Sequence, residues 1–256
     1  MKTKISIVII TRNEEKMIED CLKSIGNWAD EILIIDDAST DKTLDIVKKY
    51  GVRINPLFQK TIFSQLRNEG LEKATGDWIF YLDADERLTD NLKEEITKII
   101  NKPEFFAYAI PRRNFYLGQE VRFGGASPDY VKRLFKKDKL YKWEGDLHEE
   151  PFFEGQLGYL KEPMIHLTHR DLSSMVEKTS EWSKIEAALL FEAEHPPVTW
   201  WRILRIMLTE FWQRGVKKQG WRDGIVGWIE IIFQMFSRFI TYARLWEKQN
   251  QAKKKG

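Results

Sequence analysis

Cysteine is almost absent from this sequence. Of 256 residues only Cys21 carries a thiol, so no disulfide can form within the chain. This favours a reducing compartment. The apolar stretch at 5–10 is too short for the core of a signal peptide, and no small-residue cleavage site follows it. We therefore expect a cytoplasmic protein, or one bound peripherally to the cytosolic face of a membrane.

Two further patterns are missing. No uncharged apolar stretch approaches the length of a membrane span, so the sequence predicts no transmembrane helix. There is also no Gly-x-Gly-x-x-Gly string, which argues against a dinucleotide-binding domain.

Charge is distributed unevenly along the chain, although the net charge is only +2. Residues 195–256 hold twelve Lys or Arg against four Asp or Glu, and they contain six of the ten tryptophans. The remaining 194 residues are net acidic. The C-terminal quarter therefore has a basic, tryptophan-rich composition, unlike the acidic remainder of the chain.

Strand and helix patterns alternate in the first hundred residues. Apolar runs at 5–10, 31–35, 52–54 and 78–82 read as strands, and helical spacing lies between them. This order predicts an α/β fold with a mostly parallel central sheet flanked by helices. We expect one domain at 1–172, with halves 1–102 and 103–172, and a helical region at 173–256 with helices at 175–194, 198–214 and 225–247.

Polar clusters follow these strands. Asp83 and Asp85 close the run Trp78–Leu82, and alternation along a strand would point both carboxylates to the same side. Like charges this close favour a bound cation, and hard divalent ions prefer oxygen ligands. Carboxyl ends of parallel strands share one edge of the sheet, so the loops after the other strands should meet this pair.

Four motifs follow one another in the first ninety residues: IVIITRNE at 7–14, IDDASTDKT at 35–43, Arg67-Asn68, and GDWIFYLDADE at 76–86. In this order they resemble the motifs of family 2 glycosyltransferases with the GT-A fold. Within the family the whole chain is most similar to bacterial enzymes that extend the lipopolysaccharide core, of the β-1,4-glucosyltransferase type.

The resemblance implies roles for the residues at the sheet edge. It places Thr11, Asn13 and Glu14 beside the nucleotide, Asp36 and Asp37 at the uracil or ribose, and Arg67 near the donor. Asp83 and Asp85 would form the metal motif for Mg²⁺ or Mn²⁺, with Asp85 the first choice of ligand and Asp83 facing the ribose or binding through water. His166 is a further candidate ligand and is better placed by order than His169; a hydrogen-bonded structural histidine is the alternative.

A second acidic cluster supplies candidates for a general base. The segment 143–151 contains a glycine, several acids and a histidine between aromatic residues. We expect Glu149 to be the base, with Asp146 second and His148 orienting or assisting. The alternative is a solvated acidic turn. We expect at least two of Arg112, Arg113 and Arg133 to be ordinary surface cations. The alternative is that they bind an anionic acceptor.

The basic, tryptophan-rich helices allow three interpretations. They could dock on an anionic inner membrane, form a homo-oligomer interface, or pack against the catalytic domain. Nucleic acid is not an expected partner, because no groove-binding motif accompanies the basic residues.

Together these features predict an inverting, metal-dependent transfer of a hexose, such as glucose from UDP-glucose, to a glycolipid or cell-envelope saccharide. A nucleotidyltransferase is an alternative, but the loop at 11–14 lacks the glycine-rich sequence usual there. A non-catalytic sugar-nucleotide-binding scaffold is the other.

Overall fold

A computed structural model describes residues 3–57, 62–145 and 149–255 of the chain. The chain forms two compact units. Unit 1 comprises Met1–Arg112 and Tyr130–His166, and unit 2 comprises Arg113–Asp129 and Leu167–Gly256. The expected division at residue 172 remains a prediction. We did not expect residues 113–129 to belong to the same unit as the C-terminal helices.

Twelve strands and seven α-helices occur in the described residues. The strands are β1 Ile5–Thr11, β2 Glu31–Asp37, β3 Arg53–Leu57, β4 Trp78–Asp83, β5 Glu86–Arg87, β6 Ala107–Tyr116, β7 Gln119–Val121, β8 Tyr130–Lys136, β9 Leu140–Glu144, β10 Glu150–Phe153, β11 Leu157–Tyr159 and β12 Met164–His166. The helices are α1 Ile18–Ile25, α2 Thr43–Lys48, α3 Phe63–Lys73, α4 Asp90–Asn101, α5 Leu172–Glu192, α6 Trp200–Phe211 and α7 Gly224–Lys255.

The central sheet is mixed, with a parallel half. Strands β3, β2, β1 and β4 are parallel neighbours in that order. The sheet continues with β8, which is antiparallel to β4, and then with β6, which is antiparallel to β8. β1 is buried over its whole length and β4 over all but its last residue, because their apolar side chains are covered on both faces. The predicted α/β fold with flanking helices is confirmed, while the central sheet, expected to be mostly parallel, is parallel from β3 to β4 and mixed as a whole.

Helix α3 lies very close to β1. A Cβ atom added to Gly70 would come within 2.4 Å of Cγ1 of Val8, so only glycine permits this approach. The hydroxyl of Tyr81 on β4 also donates a hydrogen bond of 3.0 Å to the backbone carbonyl of Arg67 in α3. These contacts fix α3, and with it Arg67, against the sheet.

In unit 2 three helices pack together. Ala187 of α5 and Leu245 of α7 form a small buried core with Val198. Helix α7 extends to Lys255, beyond the expected end at residue 247.

In the described part of the chain, one helical segment is long and apolar enough to cross a membrane. It runs over Gly220–Ala252 and includes most of α7. We did not expect this from the sequence, which interrupts the apolar residues with Glu230 and Arg238. The finding concerns length and composition only, since α7 also packs against α5 and α6.

Candidate active site

The carboxyl ends of the parallel strands lie in register. Thr11 on β1 pairs with Asp36 on β2, and Ile10 pairs with Asp83 on β4. The hydroxyl of Thr11 donates a hydrogen bond of 3.1 Å to the buried carboxylate of Asp36. The predicted meeting of these strand ends at one edge is therefore confirmed.

The loops after β1 and β2 are tied to each other. The side-chain oxygen of Asn13 accepts a hydrogen bond of 2.8 Å from the backbone of Thr40, and the backbone of Asn13 donates one of 3.0 Å to Ser39. The backbone of Glu14 donates to the hydroxyl of Thr43 at 2.8 Å. Asn13 has a left-handed backbone conformation, with φ of 55°. The candidate nucleotide-binding loop is thus held in one shape by its own contacts.

Asp36 and Asp37 differ in their partners. Asp36 accepts hydrogen bonds from the backbone and hydroxyl of Ser39, at 3.0 and 2.6 Å. Asp37 is also buried and lies 3.5 Å from the guanidinium of Arg12. Asp36 therefore shapes its own loop, and Asp37 contacts the neighbouring loop.

A network of arginines and carboxylates surrounds Asp83. The guanidinium of Arg133 donates to Asp83 and also to Glu86, the latter at 2.8 Å, and Arg67 lies 3.6 Å from Asp83. Glu86 accepts from Arg112 at 3.2 Å and from the backbone of Asp83 at 2.9 Å. Although burial opposes ionisation, Arg133 and Arg67 hold the pKa of Asp83 below its usual range.

This network corrects the expectation for the arginines. Arg133 is 4% exposed and Arg112 is mostly buried, so neither is a surface cation. Of the three, Arg113 fits the expectation, since it is half exposed and pairs with Glu120 in unit 2 at 2.8 Å.

Asp85 lies in a different environment. Strand β4 ends at Asp83, and Asp85 follows in a turn, so the alternation that would place both carboxylates on one side does not extend to it. Pairing of β12 with β5 sets His166 opposite Glu86, and Nε2 of His166 lies 3.7 Å from Oδ2 of Asp85. His169 instead lies in unit 2, where its Nδ1 is 3.0 Å from Glu230.

The donor set at this edge can be compared with the needs of Mg²⁺ or Mn²⁺. Within 3–57, 62–145 and 149–255, no group of three or more His, Cys, Asp or Glu side chains could hold a metal ion. Asp85 and His166 nevertheless offer a carboxylate and an imidazole beside each other. Mg²⁺ commonly takes one or two carboxylates and completes its shell with water and substrate phosphates, so Asp85 fits such an ion. The imidazole of His166 is a softer ligand, which suits Mn²⁺ better than Mg²⁺.

Arg67 links this edge to the second acidic cluster. Its guanidinium lies 3.0 Å from the carboxylate of Glu149 and 4.8 Å from the ring centre of Trp143. Asn68 exchanges two hydrogen bonds, of 2.9 and 2.8 Å, with the backbone of Trp143, which joins α3 to β9. The structure thus brings Glu149 next to Arg67 and Asp83, while Asp146 and His148 lie outside the described residues.

Sequence reasoning missed the role of Arg133 and Glu86. The available signal was a basic residue within the apolar strand pattern at 131–135, and an acid three residues after Asp83. The contact itself depends on antiparallel pairing of β4 with β8, which joins segments far apart in the chain.

This chain has the GT-A fold. Its mixed sheet is flanked by helices, and the parallel strands end in acidic loops that are bonded to each other. The chain belongs to glycosyl transferase family 2, whose model matches residues 6–155, and it is a glycosyltransferase.

Three comparisons illustrate its relatives. The chain is 26% identical to the lipopolysaccharide core biosynthesis glycosyltransferase LpsC of Rhizobium meliloti, over 96% of this chain and 93% of that one. It is 32% identical to the SPbeta prophage-derived glycosyltransferase SunS of Bacillus subtilis, but over only 56% of this chain and 33% of SunS. A crystal structure of S. aureus TarS 1-349 in complex with UDP-GlcNAc is 15% identical, covers 98% of this chain and 92% of that chain, and has a TM-score of 0.50. That last likeness shows the fold alone.

Proposed function

We propose that this protein is an inverting, metal-dependent glycosyltransferase that moves a hexose from a UDP-sugar, such as UDP-glucose, to a hydroxyl group of a glycolipid or cell-envelope saccharide. The observation that carries the proposal is the arrangement at the sheet edge, where Asp85 with His166, Asp83 with two arginines, and Glu149 are brought together from separate segments. The likeness to LpsC along nearly its whole length supports a lipopolysaccharide core as the acceptor.

The donor would bind over the ends of β1, β2 and β4. Thr11, Asn13 and Glu14 would form one wall, and the carboxylate of Asp37 another. Asp36 is bonded to Thr11 and Ser39, so it would shape this wall and not contact the donor. The carboxylate of Asp37 suits the hydroxyl groups of ribose and the N–H of uracil, because a carboxylate accepts hydrogen bonds. Asp83, held ionised by Arg133, would accept from the ribose. Arg67 is a guanidinium at the same edge, and this group pairs well with phosphate oxygens.

A divalent ion would be held by Asp85, with His166 as its second ligand and Asp83 nearby or acting through water. When bound, Mg²⁺ or Mn²⁺ neutralises the negative charge that develops on the leaving nucleoside diphosphate.

Glu149 would act as the general base. Its carboxylate would take the proton from the acceptor hydroxyl as the acceptor oxygen attacks the anomeric carbon. The new carbon–oxygen bond forms as the bond to the UDP oxygen breaks, on the opposite side of the sugar, so the configuration inverts. Asp146 and His148 remain the other candidates for this role.

A thermal-shift and calorimetry screen of nucleotide sugars, with and without Mn²⁺, tests the proposal. We expect UDP and a UDP-sugar to bind, more tightly with the metal present. Asp85→Asn should abolish the effect of the metal, whereas Asp138→Asn, at an exposed acid in unit 1, should not. Absence of any UDP-sugar binding, or a metal effect that survives in Asp85→Asn, would overturn the proposal. Donor binding without turnover on any acceptor would favour the scaffold alternative.

A further inference from the structure

Helix α6 leaves a row of large apolar side chains exposed, although Ile203 on its other face packs against the core formed by Ala187, Val198 and Leu245. None of its twelve residues is buried. Trp200 is 76% exposed, and Leu204, Leu208 and the adjoining Trp212 recur four residues apart on the same face. A surface helix normally turns a polar face to water. The outward face of α6 is therefore built for contact with something other than water.

Helix α7 carries a second exposed apolar stripe. Ile225, Trp228, Ile232, Phe236 and Phe239 are spaced by three or four residues, and Ile225 and Ile232 are more than half exposed. At 1.5 Å per residue this stripe runs for about 20 Å. Like α6, it belongs to unit 2.

The exposed charges among these aromatics have one sign. Residues 200–246 are all described, and their exposed charged side chains are Arg205, Lys217, Lys218 and Arg222. We call these four residues, together with the two apolar stripes, the aromatic-basic surface.

The three acids in residues 200–246 are turned inward. Glu210 pairs with Arg214, and Glu230 with His169. Asp223 accepts hydrogen bonds from the backbone of residues 122 and 123. No exposed acid in residues 200–246, all of which the structure describes, therefore offsets the positive charge.

These features distinguish between occupants. A second copy placed face to face would bring the basic side chains of both copies into one interface, where no exposed acid of residues 200–246 could pair with them. An anionic lipid surface instead attracts basic side chains, and tryptophan is enriched at the depth of lipid headgroups. Amphipathic helices with basic and aromatic residues bind in this way, parallel to the membrane.

We propose that the aromatic-basic surface docks peripherally on an anionic lipid bilayer, with Trp200 and Trp212 among the side chains that enter the headgroup region. The tryptophans supply apolar burial, and the four basic side chains select for negative lipid. This proposal uses only residues of unit 2, so it stands apart from the sugar-transfer proposal.

Vesicle co-sedimentation of the full chain tests the docking. We expect binding to vesicles of phosphatidylcholine with phosphatidylglycerol, weaker binding to phosphatidylcholine alone, and release by high salt. Trp200→Ser with Trp212→Ser should lower the affinity about tenfold or more. Lys217→Gln with Lys218→Gln and Arg222→Gln should lower it chiefly for the anionic vesicles. Ile232→Ser should weaken binding through the α7 stripe.

Matched controls lie on α5. Trp182→Ser removes an exposed tryptophan, and Lys178→Gln with Lys184→Gln removes exposed basic residues, both outside the aromatic-basic surface. These variants should sediment like the wild type. Circular dichroism melts of all variants would separate lost docking from lost folding.

Three results would overturn the proposal. One is equal or absent binding to both kinds of vesicle. Another is a dimer in light scattering that the Trp200→Ser and Trp212→Ser changes dissociate, which would make the surface a protein interface. The third is protein that resists both high salt and alkaline extraction, which would indicate that α7 crosses the bilayer.

Discussion

The guanidinium of Arg67 lies 3.0 Å from the carboxylate of Glu149, although the two residues are 82 positions apart. Arg67 is almost completely buried, stacked near Trp143 and Tyr81, and it also faces Asp83. The proposed base and the proposed donor-binding carboxylate therefore share one fixed cation. A phosphate group reaching Arg67 would compete with Glu149 for it, which couples donor binding to the state of the base.

The first prediction concerns that base. Glu149→Gln keeps the shape of the side chain but cannot accept a proton, so we expect sugar transfer to fall about a hundredfold or more. Donor binding measured by calorimetry should persist. Glu150→Gln, at the exposed neighbouring acid, is the control and should transfer at a rate near that of the wild type. Equal rates for the two variants would assign the base to another residue.

The second prediction concerns the buried arginine. Arg133→Met takes the shared guanidinium from Asp83 and Glu86 and leaves them Arg67 and Arg112 as partners. Breaking a buried pair costs about 3–5 kcal/mol, and we expect a loss at the lower end of this range because those two arginines remain. Urea unfolding should show that loss. Arg113→Met removes a half-exposed ion pair with Glu120, and should cost about 1 kcal/mol or less. Similar losses for both variants would contradict a structural role for Arg133.

A third prediction follows from Glu120. Hydrogen bonds from Arg113, opposed by burial and helped by Arg122, lower the pKa of Glu120 to about 2. Glu120 has a lower pKa in the folded protein than in the unfolded chain, where it is about 4.3. Its ionised form therefore stabilises the fold at pH values above about 4.3, and this stabilisation is lost as the pH falls through the pKa of the folded protein. Because both arginines are largely exposed, we expect about 1 kcal/mol.

The measurement compares the wild type with Glu120→Gln. The difference in their free energies of unfolding should be present at neutral pH and should shrink as pH falls from about 4 towards 2. Glu94→Gln, at an exposed acid on α4, should show little difference at any pH. A difference that stays constant with pH would mean that the ionised form of Glu120 is not what stabilises the fold.

The fourth prediction tests the approach of α3 to the sheet. Gly70→Ala would put a methyl group 2.4 Å from Val8, so α3 must shift, at a cost of about 1–3 kcal/mol. Gly215→Ala is the control, because its Cβ would meet nothing closer than 3.7 Å. Thermal unfolding should separate the two variants. Val8→Ala added to Gly70→Ala should destabilise the protein by less than the sum of the two single changes, and purely additive losses would show that crowding against Val8 is not the cause.

The parallel half of the fold could be predicted because its signals are local. The apolar runs at 5–10, 31–35 and 78–82 each specify one strand, and all three strands begin at the expected residue. Their order then limits the sheet to a few arrangements.

The site was predictable only in part. The position of His166 beside Asp85 agrees with the choice of His166 over His169. The partners of Asp83 could not be read from the sequence, because Arg133 reaches it through the pairing of β8 with β4. The sequence also did not show that β4 ends at Asp83, because strand boundaries are weakly encoded. This boundary is what gives Asp83 and Asp85 different surroundings.

Cys21 is fully buried in α1, and burial raises the pKa of its thiol. Thiolate is the form that reacts with maleimides and similar reagents, so the native cysteine should stay unlabelled while the protein is folded. A cysteine placed at Leu208 could then carry a dye or spin label without removing Cys21. The chain thus offers a ready background for single-site labelling, with the depth of α6 at a vesicle surface as a directly measurable distance.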